Sequence, residues 1–416
     1  MKRHIVLASL LLAALALSAC GDSQAPDAVP GPGPGPGPGP GTPSLNVGDV
    51  MPEHWQPLPA APTVSAEVQA ARDRILGENA ADPAKVKLWW VGVSSFIASM
   101  NGHLFLFDAW EPVGVQKDYV PIGREELAAI QPEAIFIGHG HFDHAADAGY
   151  VAGRSGAALI AGAPTCATAR ARAAQFDATV SFPCLILGTR ESPGPGAVRE
   201  IRIWADLPPV QVIQHVHSAV DPTDLLTGGL PLVFIPEVLT YLQYLNTDPQ
   251  EILRFAQTLG DDGLLGQPEG GTWAYHLRVG DFSLLWHDST GPIGDGEDNG
   301  PAVQAALAAL PGCVDVQVGA IVGFGMVTSG LRDSTQYVDS ARPHVSVPSH
   351  HDAWAPVLGG GAAAYERQWR NALATLDHPP ELDYLRDPED YLVPRIYDID
   401  DPRWKTPPPG SRCAAP

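Results

Sequence analysis

Basic side chains are few in this sequence of 416 residues. Lysine and arginine total 25 against 47 aspartates and glutamates, which gives a formal net charge of −22 at pH 7. Proteins that bind DNA or RNA neutralise phosphates with clustered basic side chains, and no basic run follows the amino-terminal region. The composition therefore argues against a nucleic-acid partner.

Cysteine is also scarce, and none of the five cysteines forms a Cys-x-x-Cys pair. A structural zinc site or a thioredoxin-type motif is therefore not expected. After Cys20, four cysteines remain, and an even number favours disulfides in an oxidising compartment. Proximity pairs Cys166 with Cys184 and leaves Cys313 for Cys413, but three pairings are open on sequence alone.

The amino-terminal apolar run is too short to cross a bilayer comfortably. It covers residues 5–17, follows Lys2 and Arg3, and ends at Leu17-Ser18-Ala19-Cys20. Small residues at that spacing are a cleavage signal. The pattern resembles the lipobox of bacterial lipoproteins, which implies a signal peptide over 1–19 and a lipid anchor at Cys20. Because Gly21 rather than Asp follows, the resemblance implies an outer-membrane location facing the periplasm.

Glycine and proline are abundant, at 43 and 42 residues, and they alternate over 31–41. Such a composition cannot bury a core, so residues 20–60 are predicted to form an extended tether. One large domain is expected over 61–416, with a helix at 64–76, a helical insertion at about 218–272, a helix at 362–376 and a proline-rich tail.

Short apolar segments predict strands on both sides of a turn. Residues 88–93, 96–98 and 103–107 are such segments, and Asn101-Gly102 is typical of a type I′ hairpin turn. A further apolar segment at 134–137 is of the kind that is buried on both faces of a sheet.

A cluster of metal-ligand residue types directly follows that buried segment. His139, His141, Asp143 and His144 lie within six residues. At the carboxyl end of a strand, His139 and His141 can point to one metal while Asp143 and His144 turn to a second. Imidazole and carboxylate are suitable ligands for Zn²⁺ and similar ions. The spacing therefore predicts a metal centre.

The His-x-His-x-Asp-His pattern after an apolar strand is similar to the signature of the metallo-β-lactamase-fold hydrolases. The resemblance extends over roughly 85–356 and implies a four-layer αββα sandwich. Residues 90–97, with Asp108, resemble the opening hairpin of the branch that contains ascorbate-6-phosphate lactonase and N-acyl-phosphatidylethanolamine phospholipase D. That branch often has His where this chain has Val93.

The resemblance implies three more ligands, in chain order. His217 is the expected third ligand of the first metal, with His215 as the alternative on the same strand face. Asp288 is expected to bridge the two metals. His350 is expected to complete the second site, with His351 as its alternative. The other motif-free histidines are expected to be packed or exposed; they are His103, His276, His344 and His378.

The expected chemistry is hydrolysis of an ester, phosphodiester or lactone by a metal-bridging hydroxide between two divalent ions, expected to be Zn²⁺. Asp143 would orient the nucleophile or carry a proton. His351, His287 and Asp352 are candidates for the leaving-group acid.

The insertion is either a helical excursion with its own core or an apolar lid, which would favour a lipid or other small amphiphilic substrate. A phospholipase-like enzyme and a non-catalytic metal-binding lipoprotein are the alternatives.

Overall fold

A computed structural model describes residues 48–112, 120–218, 249–264, 266–294, 296–322, 331–354 and 361–411. The predicted signal peptide, the anchor at Cys20, the glycine-proline repeat and Cys413 lie outside these ranges, as does most of the predicted insertion.

Fifteen strands of the described chain form two sheets. The first sheet has the order β1-β7-β6-β5-β4-β3-β2-β15, and the second has the order β14-β13-β12-β11-β10-β9-β8. The strands are β1 (Asp49–Val50), β2 (Lys85–Trp90), β3 (Phe96–Met100), β4 (His103–Phe107), β5 (Ala134–Phe136), β6 (Ala158–Ala161), β7 (Cys184–Ile186), β8 (Val198–Ile201), β9 (Val210–His215), β10 (Thr272–Val279), β11 (Phe282–His287), β12 (Val316–Ala320), β13 (Val345–Ser349), β14 (Glu381–Leu382) and β15 (Arg395–Asp398).

Helices pack on the outer face of each sheet. The α-helices are α1 (Ala66–Leu76), α2 (Arg124–Ala129), α3 (Phe142–Ala145), α4 (Ala148–Ser155), α5 (Ala163–Phe176), α6 (Pro249–Asp261), α7 (Gly300–Ala308), α8 (Arg332–Ala341) and α9 (Glu366–Leu373). Helices α4 and α5 contact β5, β6 and β7, while α7 and α8 contact β9 and β12. The predicted mixed α/β fold with two sheets and outer helices is confirmed.

The main core lies between the two sheets. Phe107 of the first sheet stacks on Trp286 of the second, with ring centroids 4.7 Å apart and planes 12° apart. Phe136 and Tyr275 meet edge to face at 5.0 Å. Large aromatic side chains bury much apolar area in one contact, so these pairs hold the two sheets face to face.

The predicted hairpin forms with the turn that its sequence favours. Asn101 and Gly102 have φ values of +53° and +85°, as a type I′ turn requires, and Met100 pairs with His103 across it. Strands β3 and β4 therefore lie in the register that buries alternate apolar residues on both faces.

The folded domain begins earlier than the predicted boundary at residue 60. Asp49 and Val50 pair in parallel with β7, and the Asp49 carboxylate accepts from Arg170. Leu58 forms an isolated bridge with Trp204. The sheet edge supplies backbone partners that composition alone does not reveal, so residues 48–58 belong to the domain rather than to the tether.

The carboxyl-terminal region also departs from its prediction. The helix expected over 362–376 is a 3₁₀ turn, Ala362–Ala364, followed by the shorter α9. The Ala362 backbone is held by side chains, because its N–H donates to Asp387 Oδ1 at 2.6 Å and its carbonyl accepts from Tyr384 at 2.6 Å. The tail contributes β15, which pairs with β2 at the edge of the first sheet.

Cys166 and Cys184 form a disulfide that joins α5 to β7. Cys313 Sγ lies 4.0 Å from Ser411 Oγ, two residues before Cys413, whose pairing stays a prediction. Among the described helices, none has the length and apolar character needed to cross a membrane.

Candidate metal centre

The predicted ligands meet at one end of the two sheets. His139 to His144 follow β5, His217 follows β9, Asp288 follows β11 and His350 follows β13. Strands β11, β12 and β13 are parallel, so their carboxyl ends meet at the same edge. Sites that gather at strand carboxyl ends are typical of α/β folds. The architecture thus brings together residues that are far apart in sequence.

The first cluster consists of three imidazoles. His139 Nε2 lies 3.1 Å from His141 Nδ1 and 3.1 Å from His217 Nε2. Tetrahedral zinc with bonds of about 2.0–2.1 Å places its nitrogen ligands about 3.4 Å apart, so this spacing suits one small divalent ion. The first cluster therefore fits a metal with three nitrogen ligands.

The second cluster consists of one carboxylate and two imidazoles. Asp143 Oδ2 lies 3.4 Å from His144 Nε2 and 3.3 Å from His350 Nε2. All three side chains are buried, although Asp143 and His350 keep a small exposed fraction. The mixed oxygen and nitrogen donors also suit a divalent ion.

Asp288 contacts one histidine of each cluster. Its Oδ2 lies 2.7 Å from His139 Nδ1 and 3.2 Å from His144 Nδ1, the ring atoms that face away from the ligand clusters. Its Oδ1 is buried and has no hydrogen-bond partner among the described residues. A buried carboxylate oxygen needs a partner, so a cation beside Oδ1 fits this position.

A glycine makes room for that carboxylate. A Cβ atom at Gly138 would lie 2.0 Å from Asp288 Cγ, so only glycine allows the aspartate to approach the start of the His-rich segment. Position 138, which follows a strand of the first sheet, therefore requires glycine because Asp288, which follows a strand of the second sheet, occupies the space beside it.

The alternatives His215 and His351 lie outside both clusters. Strand β9 ends at His215, so strand alternation does not continue to His217, and His215 Nδ1 instead lies 3.0 Å from the Tyr337 hydroxyl. His351 Nε2 lies 2.8 Å from the Leu385 carbonyl, and its ring stacks on Trp90. Of the two pairs that spacing left open, the structure therefore places His217 and His350 in the clusters and their alternatives outside them.

The three candidate leaving-group acids are engaged elsewhere, so the structure does not support that role for them. His287 uses Nδ1 on the Ser289 carbonyl and Nε2 on the Gln317 amide. Asp352 accepts from the Val93 N–H, and its carboxylate is fully buried. A proton donor must reach the reacting group, and these side chains face protein partners instead.

Asp108 and Ser94 contact the site, but the sequence did not predict this role for them. Asp108 Oδ2 lies 2.8 Å from His144 Nδ1, and its Oδ1 accepts from the Gly138 N–H at 3.0 Å. Ser94 donates to Asp108 Oδ2 at 2.6 Å. The carboxylate therefore orients His144 and the His-rich segment together, as partners of metal-ligating histidines commonly do. The sequence signals for Asp108 were its position at the end of β4 and its place in the hairpin that carries the family resemblance.

Burial and crowding set the charge of the first cluster. Burial lowers the pKa of His139 well below its usual value, and the neighbouring His144 and His141 lower it further. Burial and the same kind of neighbours lower the pKa of His217. Both imidazoles are therefore neutral at pH 7, which is the form that binds a metal ion.

Carboxylates reverse this trend in the second cluster. Burial opposes protonation of His144, but Asp143, Asp288 and Asp108 raise its pKa well above its usual value. Burial and the nearby Asp288 raise the pKa of Asp108 to about 7. Three carboxylates around one imidazole supply the negative charge that a bound cation would offset.

An aromatic wall, defined as Trp110, Phe142 and Trp354, stands beside the second cluster. Trp110 meets Phe142 and Trp354 edge to face, both at 5.7 Å, and Trp354 lies 5.4 Å from the His350 ring. Leu259 of α6 belongs to the same apolar cluster. The described end of the predicted insertion therefore contributes to the apolar cluster beside the site.

Residues 88–225 match the model of the metallo-beta-lactamase superfamily. A UPF0173 metal-dependent hydrolase of Pyrobaculum neutrophilum is 31% identical over 75 residues, which are 18% of this chain and 32% of that protein. The chain thus spans about a third of the curated relative that it matches.

Two solved structures are among those to which this chain is similar. Igni18, a metallo hydrolase from Ignicoccus hospitalis, has a TM-score of 0.45 and 12% identity, covering 75% of this chain and 98% of its own. CmlA, a diiron beta-hydroxylase from Streptomyces venezuelae, has a TM-score of 0.40 and 12% identity, covering 76% and 54%.

Proposed function

We propose that this chain is a metal-dependent hydrolase that holds two divalent cations, Zn²⁺ being the expected ion. The observation that carries the proposal is the convergence of two three-residue clusters with one carboxylate in contact with both. The match of residues 88–225 to the metallo-beta-lactamase superfamily supports the same assignment.

The residues of the two clusters would have different roles in binding the cations and in positioning the attacking water. His139, His141 and His217 would hold the first cation, and Asp143, His144 and His350 the second. Cations bound there would act as Lewis acids and lower the pKa of water. Asp143 Oδ2 is close to both imidazoles of its cluster and slightly exposed, so it is the carboxylate best placed to orient an attacking water or move its proton.

The substrate class that we propose is an ester, phosphodiester or lactone with an apolar portion. The aromatic wall lies next to Asp143 and His350, so an apolar group could rest there while the scissile bond faces the clusters. The resemblance of residues 90–97 and Asp108 to the opening hairpin supports the branch containing ascorbate-6-phosphate lactonase and N-acyl-phosphatidylethanolamine phospholipase D. The aromatic wall favours a lipid, which is the second candidate substrate.

We further propose that the chain is a lipoprotein. Cleavage before Cys20 and lipidation of that cysteine would anchor it in the bacterial envelope, and the glycine-proline repeat would separate the domain from the membrane. Cys20→Ala should release the protein from the membrane fraction while its thermal unfolding temperature stays unchanged. Membrane fractionation equal to that of the parent would contradict the anchor.

The hydrolase is tested by elemental analysis of the purified protein together with a substrate screen. We expect two metal ions per chain and metal-dependent cleavage of at least one ester, phosphodiester or lactone. Soluble esters and phospholipid vesicles, assayed side by side, separate the two candidate substrates. Two bound ions without turnover on any substrate would favour the non-catalytic metal-binding alternative.

A matched pair of variants tests whether turnover belongs to the clusters. Asp143→Asn should lose activity, whereas Asp315→Asn, a buried aspartate that accepts from Ser283 away from the clusters, should keep it. Equal activity in the two variants would contradict the proposed site.

A further inference from the structure

His350 is held by a backbone contact to the loop after β2. Its N–H donates to the Val93 carbonyl at 2.8 Å. His350 and Val93 have φ values of +62° and +53°, both in the left-handed region that residues other than glycine rarely adopt. For a β-branched residue such as Val93 this backbone is strained, so surrounding contacts must maintain it.

Those contacts come from two buried side chains. Both Asp352 oxygens accept from the Val93 N–H, at 3.2 and 3.0 Å. The Trp90 indole N–H donates to the Val93 carbonyl at 3.0 Å. Both polar groups of the Val93 backbone are therefore fixed, and one of them is the acceptor for His350.

The carboxyl-terminal region completes the arrangement. Tyr391 donates its hydroxyl to Asp352 Oδ2 at 2.5 Å, and its ring lies 4.8 Å from Trp90. The Leu392 N–H donates to the Trp90 carbonyl at 3.0 Å. Tyr391 lies outside the segment that matches the superfamily model, which ends at residue 225.

We propose that Asp352 and Tyr391 are positioning residues for the second cluster: through Val93 they fix the backbone from which His350 reaches Asp143. The inference rests on the proposed metal-binding function of that cluster. It implies that the carboxyl-terminal segment helps to fix the geometry of the metal centre. Without the tyrosine hydroxyl, Asp352 can turn, Val93 can relax, and His350 loses the fixed acceptor for its N–H.

Tyr391→Phe is the direct test, and Tyr384→Phe is its matched control. Both tyrosines are buried in the same region, but Tyr384 donates to the Ala362 carbonyl instead. Metal-free parent and variants are titrated with Zn²⁺ against a chromophoric chelator and, separately, with Co²⁺ followed by its visible absorption. The two stepwise dissociation constants and the spectrum are the readouts.

We expect Tyr391→Phe to raise one dissociation constant about tenfold, to leave the other unchanged and to alter one Co²⁺ band. Tyr384→Phe should match the parent in both constants. His350→Ala assigns the affected site: adding Tyr391→Phe to that variant should change metal affinity no further, because the coupling partner is gone.

Three results would overturn the inference. Tyr391→Phe could weaken both sites equally or behave like Tyr384→Phe, in which case the hydroxyl has only a structural role. A parent that binds a single cation would remove the second cluster and this inference with it. By contrast, a parent that binds two cations and shows the predicted response but hydrolyses nothing would refute the proposed hydrolase alone.

Discussion

Buried histidines occur at both ends of the first sheet, and their surroundings favour different protonation states. At the amino end of β4, His103 lies between two carboxylates, with Nδ1 2.7 Å from Glu133 and Nε2 2.9 Å from Asp206. At the carboxyl end of β5, His139 lies against other imidazoles and one aspartate oxygen.

The pKa values follow the number of acidic neighbours. Burial alone would lower the pKa of His103, but Glu133 and then Asp206 raise it above its usual value. Burial lowers the pKa of His139, and its imidazole neighbours add to that effect. The comparison shows that two carboxylates favour the protonated form of His103, whereas neighbouring imidazoles favour the neutral form of His139, which is the form that binds a metal ion.

The largest expected effect is a loss of bound metal and of activity at the metal-binding end of the sheets. Asp288→Ala removes the carboxylate that contacts both clusters, so we expect at least one of two cations to be lost. Activity should fall by about three orders of magnitude, equivalent to about 4 kcal/mol of transition-state stabilisation. Bound metal per chain is measured for this variant and for Asp206→Asn at the opposite end, which should keep both ions. Two ions retained in Asp288→Ala would refute the bridging role.

A smaller effect separates the two histidines near the end of β9. His217→Ala should weaken one cation site about a hundredfold, because His217 belongs to the first cluster. His215→Ala should change metal content little, since His215 lies against Tyr337. Isothermal titration with Zn²⁺ gives both affinities. If metal binding weakened in His215→Ala but not in His217→Ala, the assignment within this pair would be reversed.

The smallest effect concerns stability at the opposite end. The folded-state pKa of His103 is raised, so its stabilisation is complete below its unfolded pKa of about 6.5 and is lost as pH rises through the folded value. Urea unfolding of the metal-free parent should therefore give a lower free energy at pH 9 than at pH 6. His103→Phe should cost about 2 kcal/mol at pH 6 and remove the His103 share of this pH dependence.

His276→Phe is the control for that titration. Burial lowers the pKa of His276 to about 3, so it is neutral throughout the tested range and its loss should leave the pH dependence unchanged. A parent and a His103→Phe variant with the same pH dependence would show that His103 does not hold its proton between Glu133 and Asp206.

The parts of the site that sequence could predict are local. His139, His141, Asp143 and His144 are neighbours in the chain, and the preceding apolar strand gives their position in the fold. The fold class followed from that motif and its resemblance. The hairpin at Asn101-Gly102 followed from turn chemistry alone.

The parts that sequence missed depend on contacts between distant segments. Asp108 meets His144 across 36 residues, and Tyr391 meets Asp352 across 39. His103 was expected to be packed or exposed, because no residue near it in the sequence indicates its contacts with Glu133 and Asp206. Tertiary partners decide what such residues do, and spacing along the chain does not contain that information.

The short strand β1 shows at which end of the first sheet the chain enters the domain. Strands β1, β7, β6 and β5 are parallel, so the chain enters the domain at the end of the sheet opposite the metal centre. If the proposed tether runs from Cys20 to residue 48, it attaches to the far side of the domain. The clusters would then lie at the end of the sheet that is farther from the attachment point, so the tether would not have to pass over them.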